Sequence, residues 1–106
     1  MSARRVVTTR RADEDITAAV EYYLGQGAAT AALAFVDALE DARVLIGEHP
    51  QLGFTRLGAE VDIPEIRTLA LRRFPYLAFY TDDVDAVRVH RVLHTARDIP
   101  SELLDV

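Results

Sequence analysis

At 106 residues the chain has room for one domain, 1–106, with a real but modest core. Half its residues are hydrophobic and 27% are charged, which excludes a disordered segment, and the absence of cysteine excludes disulfides and thiolate-held metals. A net charge of −5 argues against nucleic-acid binding by bulk electrostatics.

The N-terminus, "MSARRVVTTRRADEDI", has arginines with no apolar run behind them, so it does not read as a signal peptide, and a cytoplasmic location is expected. Within it, "RVVTT" (5–9) is a short β-branched run and predicts a first strand, a plausible sheet edge. "RADED" follows with acids where a helix N-terminus favours them. Ala12, Ile16, Ala19, Val20 and Tyr23 then recur at helical spacing until "GQG" (25–27) breaks the pattern.

A longer helix is predicted from about Ala28 to Gly47, with Ala28, Ala31, Ala32, Phe35, Leu39, Ala42 and Ile46 on one arc. Asp37, Glu40, Asp41 and Arg43 interrupt it too often for a membrane span. Leu33 and Val44 lie off the arc, as lone exposed apolar residues or as a partner contact. The short turn makes the two helices an antiparallel hairpin. "EHPQLG" (48–53) ends the second helix, with His49 as a capping residue, and 54–65 reads as an irregular connection.

Three strand candidates follow, 66–72, 76–82 and 86–93, separated by "RFP" and "DDVD". Gaps this short impose an antiparallel meander. The fold class is therefore α+β, ordered β-α-α-β-β-β, with a helical hairpin on one face of a mainly antiparallel sheet. Strand parity turns Val87 and Val89 toward the helices and Arg88 and His90 away. In the neighbouring strand the larger apolar pair, Leu77 and Phe79, is expected inward, leaving Tyr80 outside beside Arg88 and His90. A sheet face carrying tyrosine, arginine and histidine suits binding or chemistry, and equally a solvated surface.

All twelve basic residues are arginine, which suits bidentate anion contacts and, beside abundant alanine, equally reflects a GC-rich genome. Residues 66–97 hold six arginines against three aspartates, +3, leaving −8 elsewhere.

The succession "RADEDITAAVEYY", "HPQLGFTR", "IRTLALRRFPYLAFY" and "VRVHRVLHTARDIP" resembles the ParE-type toxins of the RelE/ParE toxin–antitoxin superfamily, over nearly the whole chain and in order. The resemblance implies a toxin held inactive by a cognate antitoxin, usually of ribbon-helix-helix type. ParE-type members act on DNA gyrase; RelE-type members share the fold and cut mRNA on the ribosome. An inactive member kept as a binding partner is a third outcome.

Cutting RNA requires a base, an acid and cations around the phosphorane. The chain has no lysine, and its tail "IPSELLDV" carries no histidine or tyrosine. Arg67, Arg72, Tyr80, Arg88 and His90 are the groups that would have to substitute. Gyrase inhibition needs only a binding surface with arginine and aromatic anchors, for which Arg72, Arg73, Tyr80, Arg88, His90 and Arg97 are the candidates. An acidic antitoxin segment is expected across hairpin and sheet, with Arg4, Arg5, Leu33 and Val44 as its contacts.

His94, Arg97 and Asp98 form either a catalytic group or a clasp at the sheet end; the clasp is expected, with Asp98 in an Asx-type turn and paired with Arg97 or Arg91. His90 and His94 on a strand lie ~13 Å apart, too far for one metal ion. No phosphate loop or nucleophile-elbow motif is present, so no cofactor or metal is expected.

Overall fold

Thr9 decides where the first strand becomes a helix. In this computed structural model, which describes residues 3–104, β1 (Val6–Thr8) ends there. The Thr9 hydroxyl accepts the Ala12 N–H at 3.1 Å and donates to the His90 carbonyl at 3.0 Å, capping α1 (Arg10–Gly25) and pinning it to the sheet. Gly27, at φ 69°, supplies the left-handed turn. α2 (Ala29–Glu48) returns alongside, and the buried Ala12, Ala19, Ala32, Ala38 and Ala42 keep the hairpin thin. The His49 N–H closes α2 on the Leu45 carbonyl at 2.8 Å, as a C-cap. No helix among the described residues is long and apolar enough to cross a membrane.

The sheet is β2 (Arg67–Ala70), β3 (Tyr76–Asp82) and β4 (Val87–His94) as an antiparallel meander, with β1 added parallel to β4 in the order β1-β4-β3-β2. Tyr80 pairs with Val89 and Phe79 with Arg91, so His90 is the extra residue of a β-bulge. β1 covers β4 only along Val87–Val89. Beyond it, Asp15 of α1 accepts the Val92 N–H at 3.0 Å and a bidentate contact from Arg91, at 2.7 and 2.9 Å. A helix carboxylate thus closes the edge that the short strand leaves open.

Two expectations are corrected. The segment 54–65 is not wholly irregular: it holds α3 (Arg56–Glu60), and α4 (Ile99–Leu103) follows the sheet. Val61, Ile66 and Leu103, joined by Leu57, Ile63 and Ile99, cover the sheet face away from the hairpin. That second cover changes which β3 residues go where. Phe79 and Leu77 pack on this far face with Leu93, while Tyr76, Ala78 and Tyr80 face α1 and α2 with Val87, Val89 and Val92. Tyr80 is 0% exposed, not outward. Its ring is affordable inside because the hydroxyl donates to the Pro50 carbonyl and accepts the Gly53 N–H, both at 2.9 Å. Of the sequence segments discussed, residues 1–2 and 105–106 lie outside the described residues.

Candidate functional site

The sequence-predicted residues separate along β3 into two ends and a buried middle. The middle is a clamp on the "HPQLG" loop. Arg67, cross-strand neighbour of Tyr80, donates to the carbonyls of Gln51 and Gly53 at 3.1 and 2.9 Å and to Gln51 Oε1 at 2.5 Å. A β-carbon on Gly53 would stand 2.7 Å from the Tyr80 hydroxyl and 3.0 Å from Arg67 Cβ, so only glycine fits under the clamp. Burial, the largest influence, holds the Tyr80 phenol above its ordinary range and keeps it protonated. Arg67 and Tyr80 are therefore spent on the loop.

At the far end of β3, the "DDVD" turn collects cations. Arg88 pairs with Asp83 and, at 2.9 Å, with Asp85; Arg4 lies 3.1 Å from Asp82 and donates to the Asp83 carbonyl; Arg5 sits 3.7 Å from Asp85. His90 shares the face of Arg88, with Thr81 in the place expected for Tyr80: His90 Nε2 lies 2.9 Å from Thr81 Oγ1. Burial lowers the His90 pKa below its ordinary 6.5 and outweighs the opposing pull of Asp83. A neutral histidine, a bound arginine and a buried threonine do not assemble the acid, base and free cation that phosphoryl chemistry uses.

At the near end, Arg72 and Arg73 form the tip of the β2–β3 hairpin, closed by the Leu71 N–H on the Tyr76 carbonyl at 3.0 Å. Both are exposed, and neither has an ion pair among the described residues. Arg73 is held at φ 69°, a strained conformation for an arginine. Phe74 anchors the tip, its ring centroid 5.6 Å from Tyr23 and 5.5 Å from Phe35. Asp37 and Asp41 of α2 line a shallow hollow together with Arg72, Arg73 and Phe74, outside ion-pair distance of the arginines.

The C-terminal segment is a clasp, but not the one expected. Asp98 starts α4 without a side-chain capping bond. Arg91 carries the load: besides Asp15 it donates to the Glu102 carbonyl at 3.3 Å, and Glu102 in turn binds Arg97. His94 Nδ1 accepts the Ala96 N–H at 3.0 Å, which turns the chain toward α4. Glu102 replaces Asp98 because it sits one helical turn inside α4, facing the sheet edge.

A groove of about 520 Å³ opens between β1 and α2. Val6, Val7, Ile16, Val36, Leu39 and Ile46 make it apolar, and Arg43 and Glu40 edge it. Leu33 and Val44 are exposed on α2 but do not line it. Arg4 and Arg5 stand at the start of β1, engaged by the acidic turn.

The family described as "ParE toxin of type II toxin-antitoxin system, parDE" matches residues 6–99. The chain belongs to the ParE toxin family. Its fold is similar to a solved chain titled "Chromosomal ParDE TA system from P. aeruginosa", with TM-score 0.71 and 22% identity over 87% of this chain and 96% of that one. No curated protein matches it. As a member of a type II toxin–antitoxin family it implies an antitoxin partner.

Two features of this ParE-family chain escaped sequence reading. The Asp15–Arg91 pair joins residues 76 positions apart, and nothing in either local pattern marks it. A hollow of Tyr22, Tyr23, Tyr76 and His94 arises because Tyr76 shares the face of Ala78 and Tyr80; the parity "YxAxY" was its only signal.

Proposed function

We propose that this ParE-family toxin acts by binding, with DNA gyrase as its target and Arg72–Arg73 as the anchors. The observation that carries the reading is the contrast in engagement. Of the groups a nuclease would need, Arg67, Tyr80, Arg88 and His90 are engaged within the fold, and Arg72 belongs instead to the exposed hairpin tip with Arg73. Strained backbone at such a position is characteristic of functional sites.

The antitoxin, of ribbon-helix-helix type, fills the groove between β1 and α2 with an extended apolar segment and adds to the free edge of β1. Both proteins work in the cytoplasm. The test uses toxin released from its antitoxin, in gyrase supercoiling and cleavage-complex assays, with ribosome-dependent mRNA cleavage run in parallel. Trapped DNA breaks with intact mRNA support the reading; cut mRNA with unaffected gyrase overturns it.

A further inference from the structure

Where β3 begins and β4 ends, α1 and the sheet enclose a hollow of about 370 Å³, separate from the β1–α2 groove and within the size range of small-ligand sites. Tyr22, Tyr23, Tyr76, His94 and Arg97 line it, with Asp15 on its wall. Tyr76 is 9% exposed, and its hydroxyl, which has no protein hydrogen-bond partner among the described residues, is the part of the side chain that remains accessible in the hollow. The ring is fixed by Phe35 and His94, with centroids 5.0 and 5.1 Å away.

The remaining groups agree in kind. His94 Nδ1 accepts the Ala96 N–H, so the neutral ring carries its proton on Nε2, which has no described partner and is a donor. Burial holds the phenols of Tyr23 and Tyr76 above their ordinary range, so they too keep their protons. Arg97 is exposed beside them, paired with Glu102 and with guanidinium donors to spare. Asp15, the carboxylate on the wall, is already neutralised by Arg91 and by the Val92 N–H. The hollow therefore offers aromatic surfaces and donors, and the one carboxylate among its lining residues, Asp15, is already engaged.

We propose that this hollow binds a nucleotide, its base against the tyrosine rings and its phosphate on Arg97 and His94 Nε2–H. A simple anion has no use for the aromatic walls, and an uncharged ring leaves the donors unmatched. The site is independent of the gyrase reading and survives or fails without it. The same chemistry is available from a free mononucleotide or from one residue of a single strand.

Calorimetric titration of the full chain with AMP, adenosine, inorganic phosphate and a five-residue oligoadenylate tests it. AMP is expected to bind saturably, and adenosine and phosphate each at least about ten-fold more weakly. Tyr76→Phe is expected to weaken AMP about five-fold with the melting temperature unchanged, because the lost hydroxyl has no partner in the protein. Arg97→Gln is expected to weaken AMP but not adenosine. Equal binding of AMP and the oligomer assigns the strand as a source; AMP alone assigns the free nucleotide. No saturation by AMP at millimolar concentration, adenosine binding as well as AMP, unaltered AMP binding by Tyr76→Phe, or binding of the oligomer alone with a steep salt dependence each overturns the proposal.

Discussion

At the β3–β4 turn, Asp82, Asp83 and Asp85 hold Arg4, Arg5 and Arg88; at the β2–β3 turn, Arg72 and Arg73 project with no ion pair among the described residues. The two turns close neighbouring hairpins of one sheet and sit at its opposite ends. Their difference separates positive charge as composition from positive charge as surface. Residues 66–97 carry +3 as a block, but at one end the arginines are consumed by carboxylates next to them. At the other end the arginines carry no such pair among the described residues, and Arg73 holds a strained backbone. The second arrangement leaves whole guanidinium groups for a partner.

A buried arginine, Arg91, sets the scale for both turns. Arg91 and Asp15 are 5% and 12% exposed, so removing the carboxylate leaves a buried cation with only the more distant Glu102 as counter-charge and an unpaired Val92 N–H. Asp15→Ala is expected to cost about 3–5 kcal/mol in denaturant unfolding. A cost under about 1 kcal/mol would place that pair with the surface pairs and remove the contrast.

The loop clamp comes next. Gly53→Ala drives a methyl to 2.7 Å from the Tyr80 hydroxyl and is expected to cost about 1–3 kcal/mol. Tyr80→Phe strands the Gly53 N–H and Pro50 carbonyl, for a similar loss of about 1–3 kcal/mol. At the tip the sign reverses: Arg73→Gly relieves the φ of 69° and is expected to raise stability, by up to about 1 kcal/mol, while weakening target binding. At the acidic turn, Arg88→Ala removes solvent-exposed pairs and is expected to leave stability nearly unchanged.

The smallest effect is a pH dependence at His90. Its folded pKa lies below the ordinary 6.5, chiefly through burial. Its contribution is therefore complete above that ordinary value and is lost as pH falls through the lower folded one. Thermal melts between neutral and mildly acidic pH should show a decline that His90→Gln reduces; an identical decline in the variant rules His90 out as its source.

Much of the fold was legible because it rests on local signals: the helical spacing from Ala12 to Tyr23, the small residues of α2, and gaps too short for anything but a meander. The parity of Val87 and Val89 held for the same reason. Tyr80 was misplaced because one rule, larger apolar pair inward, assumes a single covered face. Here α3 and α4 build a second core around Phe79 and Leu93, and Tyr80 brings its own hydrogen bonds inside. Asp98 was misassigned because the competing carboxylate, Glu102, becomes a neighbour only once α4 forms. The engagement of Arg91 is invisible in the sequence, since its partner Asp15 is distant along the chain.

The most direct test compares the two turns in one assay. Gyrase supercoiling would be titrated with the parent toxin, with Arg88→Ala, and with the double variant Arg72→Ala/Arg73→Ala, each verified as folded. The parent and Arg88→Ala should inhibit alike, while the double variant should need at least about ten-fold more protein, a loss of about 1.4 kcal/mol. Equal inhibition by the double variant, or loss confined to Arg88→Ala, would contradict the assignment of the hairpin arginines as the working surface.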